Sequence, residues 1–196
     1  RHKHYFNHFL WDTDGTRFEF LHRWRGEGIA SFDTRMLTAA ADGSDVRVVD
    51  DSGKTSHFIW SDPSHILAWS WHESCGDAFY LFEDGDEPNR AEAVGLEKMP
   101  RNGHVSYLAD TDWVLNDTYP GGEPRAQTVY LYHVPTDRRV ELGAFESPEE
   151  YAGEWRCDLH PRSSPDGTLV TIDAACEGGR QLYLLAVAEV VAGLGP

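Results

Sequence analysis

Four histidines, His8, His57, His104 and His160, follow one another at 49, 47 and 56 residues. Each stands just before a short run of strand-forming residues that ends in a turn, in "NHFLWDTDG", "SHFIWSDP", "GHVSYLADTD" and "EWRCDLHPRSSPDG". A period of about 50 residues limits the fold sharply, because a chain that repeats must build one supersecondary unit several times and stack the copies.

Within each unit the same order recurs. The turns are Asp14-Gly15, Asp62-Pro63, Asp110-Thr111 and Asp166-Gly167. A second strand follows each of them: "RFEFLHRW", "HILAWSW", "DWVLNDTY" and "TLVTIDAA". After a polar or Gly-rich gap comes a third: "RMLTAAADG", "AFYLFEDG", "TVYLYHVPTD" and "RQLYLLAV". The first and third units add a fourth, "DVRVVD" and "RRVELG". Aromatic and β-branched residues fill these runs, and Gly, Pro, Asp and Asn punctuate them. The fold expected is all-β, a β-propeller of four-stranded blades over residues 1–196, with blades starting near 7, 56, 103 and 159. A β-sandwich would house the same strands but gives no reason for the histidine register. Only "LAVAEVVAGLG", at the end, reads as helix. The chain opens "RHKHYF", without Met, as mid-domain sequence does, so the expectation is a portion of a larger propeller.

Composition narrows the partners. A formal charge of −16 and a pI near 4.9 exclude nucleic acid and an anionic membrane surface as natural partners. No apolar run approaches the roughly 20 residues of a membrane span, and no signal peptide is apparent. The three cysteines, Cys75, Cys157 and Cys176, are odd in number and widely spaced. They form neither a disulfide framework nor a CxxC metal site, which fits a reducing compartment. Cytoplasmic and periplasmic locations are both compatible with the chain. The oligomeric state is not legible.

In a propeller the first strand of each blade is innermost and lines the central channel. Residues at its start therefore lie near one mouth of that channel. Imidazoles arriving there can bind a divalent metal, or one of them can act as a base. A second reading is structural: repeats of the WD type use a Gly-His pair to hydrogen-bond within the blade, and Gly103-His104 fits it. His2, His4, His72 and His133 stand outside the register and read as surface residues. His22 and His65 read as satisfied histidines inside second strands. The Asp-Gly pairs lack the spaced carboxylates and distal Glu of a calcium loop and read as hairpin turns. "GEGIASFD" lacks the spacing of a phosphate cradle, and Ser163 and Ser164 lack a nucleophile elbow. "DGDEP", from Asp84 to Pro88, reads as a solvated acidic loop.

The chain resembles the oligogalacturonate lyases, polysaccharide lyases of pectin degradation built on a seven-bladed β-propeller with an axial manganese ion. The resemblance runs from about Asn7 to Leu185 and rests on "NHFLW…FLHRW", "RMLTAAADGS", "SHFIWSDP", "GHVSYLADTDWVLND" and "CDLHPRSSPDG…GRQLYLL". It implies that this chain is the C-terminal part of such a propeller. It implies that His57 is the catalytic base and that Arg35 stands beside the scissile sugar. His104 and His160 match two of the three histidines that hold the metal. Where the family has Gln three residues before the histidine matched by His160, and His two residues after it, this chain has Cys157 and Arg162. Cys157 is a candidate ligand that prefers softer metals than manganese. Arg162 cannot ligate, but it can pair bidentately with a carboxylate and supply part of the metal's positive charge. Arg162 and His8 are the candidate substrate-binding residues.

The activity implied is β-elimination on short uronate oligosaccharides. Removing the C5 proton needs a base, and imidazole, with an ordinary pKa of about 6.5, suits that task. It also needs positive charge on the adjacent carboxylate and departure of the O4 group. The net charge of −16 does not forbid an anionic sugar, because exposed charges are screened beyond about 10 Å. The competing reading is a non-catalytic propeller, WD40- or TolB-like, that binds a protein or a sugar. The two differ in whether His57, His104 and His160 converge with Arg35 or bond separately within their own blades.

Overall fold

The computed structural model describes residues 3–25, 32–109 and 111–193. His2, most of "GEGIASFD" and the turn at Asp110 lie outside the described residues. The chain is all-β, and its strands form four antiparallel sheets in which each strand bonds to its neighbours in sequence. The first sheet holds β1 (Lys3–Trp11), β2 (Arg17–Arg25), β3 (Asp33–Ala40) and β4 (Arg47–Asp50). The second holds β5 (Phe58–Asp62), β6 (His65–His72), β7 (Gly76–Glu83) and β8 (Ala91–Val94). The third holds β9 (Ser106–Tyr107), β10 (Trp113–Asp117), β11 (Ala126–His133) and β12 (Arg138–Glu146). The fourth, with three strands among the described residues, holds β13 (Arg162–Ser163), β14 (Leu169–Ala174) and β15 (Gln181–Ala186). A short helix, α1 (Ala188–Ala192), follows it. Four-stranded meanders repeated in this way are the blades of a β-propeller.

The chain divides into two compact units, Arg1–Leu96 and Glu97–Pro196, each with two sheets. The core of the first unit joins Leu21, Met36 and Val49 of one sheet to Trp60, Ile66, Ala68, Tyr80 and Phe82 of the next. The core of the second gathers Trp113, Leu115, Val129 and Leu131 with Leu159, Val170 and Ile172. Alternation along the strands explains both cores: one face of each sheet is packed by every second side chain. β10 departs from alternation, since all five of its residues, Asn116 and Asp117 included, are buried. As a blade's second strand it is covered on both faces, so its polar side chains must find partners inside.

Three of the four register histidines precede their first strand as expected, at β5, β9 and β13. The first does not. β1 begins before His8 and bulges between Asn7 and Leu10, with His8 at φ +56° inside the bulge. The fourth strand β8 ("AEAV") was not expected, because four residues with one β-branched side chain carry no strand signal of their own. Asp84 is not solvated. Its carboxylate receives Arg17 Nε at 2.7 Å and the Thr38 hydroxyl at 2.6 Å, while Asp86 two residues on is fully in water.

Glu19, on β2, is fully buried, and neither carboxyl oxygen has a hydrogen-bond partner. Burial first, and then the negative charge of Asp84, push its pKa well above the ordinary carboxylate range. The folded chain therefore keeps a proton that the unfolded chain releases near the ordinary Glu pKa of about 4.3. The sign follows: Glu19 favours the fold most below that pKa, and the contribution is lost as pH rises toward the folded value. Glu19→Met is expected to stabilise the protein by roughly 1–3 kcal/mol at neutral pH and by less in acid. Urea unfolding at the two pH values checks this, and equal effects at both would refute it.

Candidate functional site

In the second unit the site is built around one carboxylate. Asp117 closes β10, is 1% exposed, and accepts the backbone N–H of His104 at 2.6 Å. The same carboxylate holds His104 Nδ1 at 2.9 and 3.0 Å. It also accepts the backbone N–H of His160, at 3.2 Å. One side chain thus fixes two histidines from adjacent sheets, and their rings lie 3.8 Å apart between centroids. Gly103 allows this closeness: a Cβ there would stand 2.0 Å from the Asp117 carbonyl oxygen. His160 adopts φ +42°, a left-handed backbone that turns its ring toward His104 rather than along β13.

Burial first, and then the neighbouring His104, lower the pKa of His160, so its imidazole stays neutral at a pH where an ordinary one takes a proton. Asp158 completes the group: its carboxylate and one nitrogen each of His104 and His160 lie within 4.8 Å of one another. Arg156 Nε donates to Asp158 Oδ2 at 2.9 Å, and its guanidinium stands over the Tyr119 ring. Asp158 Oδ1 is 2.7 Å from the same nitrogen, yet it is buried and accepts no aligned hydrogen bond. A buried carboxylate beside two imidazoles fits a divalent cation: two nitrogens and a hard oxygen suit manganese or zinc. The Asp117–His104 contact is the usual outer support of a metal-binding histidine.

Cys157 is not in that donor group. It is buried, Gln127 Nε2 donates to its carbonyl at 2.8 Å, and burial raises the pKa of its thiol, with the carboxylates of Asp173 and Asp158 adding to the shift. Arg162 is exposed and donates to the carbonyls of His160 and Pro161 at 3.3 and 3.1 Å. Among the described residues it has no carboxylate partner; Arg156 is the cation at Asp158.

In the first unit, His57 is placed by its backbone. Ser56 N–H donates to the Trp69 carbonyl at 2.9 Å, and Trp69 N–H returns a bond to the His57 carbonyl at 2.9 Å. The loop before it is tied down by buried Asp50, which accepts from Ser70 Oγ at 2.5 Å and from Thr55 Oγ1. The Ser56 hydroxyl is 3.3 Å from His57 Nδ1. His8 is exposed, its ring edge-on to Phe58 with centroids 6.3 Å apart. Arg35 lies opposite His22 across β2 and β3, and Arg35 Nε donates to His22 Nδ1 at 3.0 Å. His22 in turn meets His4 Nδ1 at 3.0 Å. The other histidines have local partners: His65 with Asp62, His72 with Ser74 and His133 with Thr136.

The residues sequence reasoning missed are Asp117, Asp158 and Arg156. Asp117 carried a usable signal, since a carboxylate ending the central-strand run "WVLND" must be answered by a buried donor. Asp158 is two residues from a register histidine, a spacing that across an extended segment returns a side chain to the same side.

No protein-family model matches the chain, and no curated protein sequence matches it significantly. Solved structures do. An oligogalacturonate lyase from Vibrio parahaemolyticus superposes with a TM-score of 0.70 at 19% identity, covering 95% of this chain and 50% of that one. An oligogalacturonate lyase in complex with manganese gives 0.54 at 14% identity, covering 96% of this chain and 66% of that one. The tricorn protease gives 0.61 at 11% identity over 92% of this chain and 21% of its own. This chain therefore spans about half the length of the Vibrio lyase. No helix among the described residues is long and apolar enough to cross a membrane. At these identities the likeness establishes architecture: the chain has a β-propeller fold that it shares with oligogalacturonate lyases.

Proposed function

We propose that this chain carries the reactive part of a propeller lyase that cleaves short, acidic uronate oligosaccharides by β-elimination. The observation that supports it most is the His104–His160–Asp158 group, held by Asp117 and backed by Arg156. A structural Gly-His pair needs only the His104–Asp117 bond within its own sheet. It gives no reason for a second imidazole and a buried carboxylate, both preceding the next sheet, to join it.

In this reading His57 takes the C5 proton of the uronate. His104 Nε2, His160 and Asp158 Oδ1 would hold a divalent cation, manganese or another. When bound, that cation neutralises the substrate carboxylate so that charge can build as C5 loses its proton. Arg35 binds a uronate carboxylate through its terminal nitrogens, and exposed Arg162 and His8 contact the sugar chain. Arg156 holds Asp158 in place through its Nε. Cys157 supports the segment through its carbonyl, and its thiol is a donor of the softer kind.

The test is incubation of the full chain with digalacturonate, with manganese or with chelator, following formation of the unsaturated product. Product that disappears with chelator supports the metal-assisted reaction. Product that survives chelation moves the charge-neutralising role to the arginines. No product under any condition refutes the lyase reading and favours a propeller that only binds.

A further inference from the structure

Arg35 Nε–H is an obligatory donor, and it points at His22 Nδ1 from 3.0 Å. His22 Nδ1 must therefore carry a lone pair, which leaves the single ring proton on Nε2. That Nε2 lies 3.0 Å from His4 Nδ1, so His4 Nδ1 must be an acceptor too, and His4 carries its proton on Nε2. One arginine donor thus sets the tautomer of two histidines in sequence. A proton added to either Nδ1 would break the chain of bonds. Burial first, and then Arg35 and His4, lower the His22 pKa, which agrees with a ring kept neutral.

The three residues meet at one end of the first sheet. His4 is near the start of β1, His22 near the end of β2, and Arg35 near the start of β3. In an antiparallel meander this is the end at which a first strand begins, the end from which His57 leads into β5. The His22 ring stacks on Phe6 and leans on Trp24, at centroid distances of 4.8 and 5.0 Å. The Arg35 guanidinium lies 5.9 Å from the Trp24 ring centroid. Among the described residues Arg35 has no carboxylate partner, and its only hydrogen bond uses Nε.

We infer that His22, backed by His4, is a positioning residue that holds Arg35 by Nε and aims its two terminal nitrogens at a substrate carboxylate. The inference rests on the uronate-binding reading above. A guanidinium gripped at Nε has lost most of its rotamer freedom before a ligand arrives, so its planar fork is offered preorganised. The carboxylate of a uronate is the planar, bidentate acceptor that such a fork matches.

Two near-isosteric variants separate positioning from structure. In His22→Asn the amide oxygen stands where Nδ1 stood and still accepts from Arg35. In His22→Gln the amide nitrogen reaches the Nε2 position and keeps His4 but gives Arg35 no acceptor. Calorimetric titration of the full chain with digalacturonate should find His22→Asn close to wild type. It should find His22→Gln weakened by about tenfold or more, with equal melting temperatures for both. Equal losses in the two variants, or none, would overturn the inference. If the wild type binds no uronate, the functional reading fails instead, and the relay is judged by nitrogen-15 spectra of the imidazoles. Those should show unprotonated Nδ1 on both His22 and His4; a protonated His22 Nδ1 would sink it.

Discussion

Alanine at His57 should lower the rate of unsaturated-product formation from digalacturonate by about 10²–10⁴-fold, the usual contribution of a positioned general base. The C5 proton of a uronate is weakly acidic, and without an imidazole only water can accept it. Binding should change far less, because the base contributes mainly as the proton moves. The variant should also fold. The segment is held by backbone, through the Ser56 N–H and the His57 carbonyl bonded to Trp69, and the apolar core of the unit is built from other residues. Initial rates, measured with calorimetric titration of the same ligand, check the claim. A rate within a few-fold of wild type would remove His57 from the mechanism, and a matched loss of binding would recast it as a sugar contact.

The second large effect is expected at Asp117. Its buried carboxylate accepts two backbone N–H groups and meets the His104 ring. Replacing it by alanine removes the acceptor of these part-buried donors, at up to about 1–3 kcal/mol for each. It also frees the His104 ring to rotate, and loss of such an outer support lowers metal affinity by about 10- to 100-fold. Asn at the same position keeps one acceptor oxygen, so it should recover part of the stability while still weakening the metal. Manganese titration and urea unfolding of the two variants separate these effects. Unchanged metal affinity in both would place the cation elsewhere or remove it.

Much of the fold could be read from the histidine register and its turns, because both repeat with the blade. The strands it located best were second and third strands, such as "HILAWSW" and "TVYLYH", whose length and β-branched or aromatic content suffice on their own. It failed at edges. β8 forms because Phe79 to Phe82 offer an open row of backbone groups, a tertiary cause that its own four residues do not show. The candidate site was legible only in part for a similar reason. His104 and His160 were visible as a pair because each starts a blade. Asp117 ends a second strand, and only pairing with β9 and the next sheet turns it toward both histidines. Asp84 misled in the opposite direction: in an acidic run it looked solvated, yet Arg17, on the hairpin strand 67 residues earlier, draws it inside.

The backbone at His8 and His160 has a practical consequence for anyone seeking to harden this protein. Both residues sit at positive φ, where a side chain costs about 1 kcal/mol or more and glycine costs little. A screen that rewards heat resistance will therefore favour glycine at these two positions, and at His160 it will do so by deleting an imidazole that faces His104. Robustness and chemistry compete for the same two residues. Selection on melting temperature alone would yield a sturdier propeller with a blunted site, so these positions should be held fixed in any such campaign.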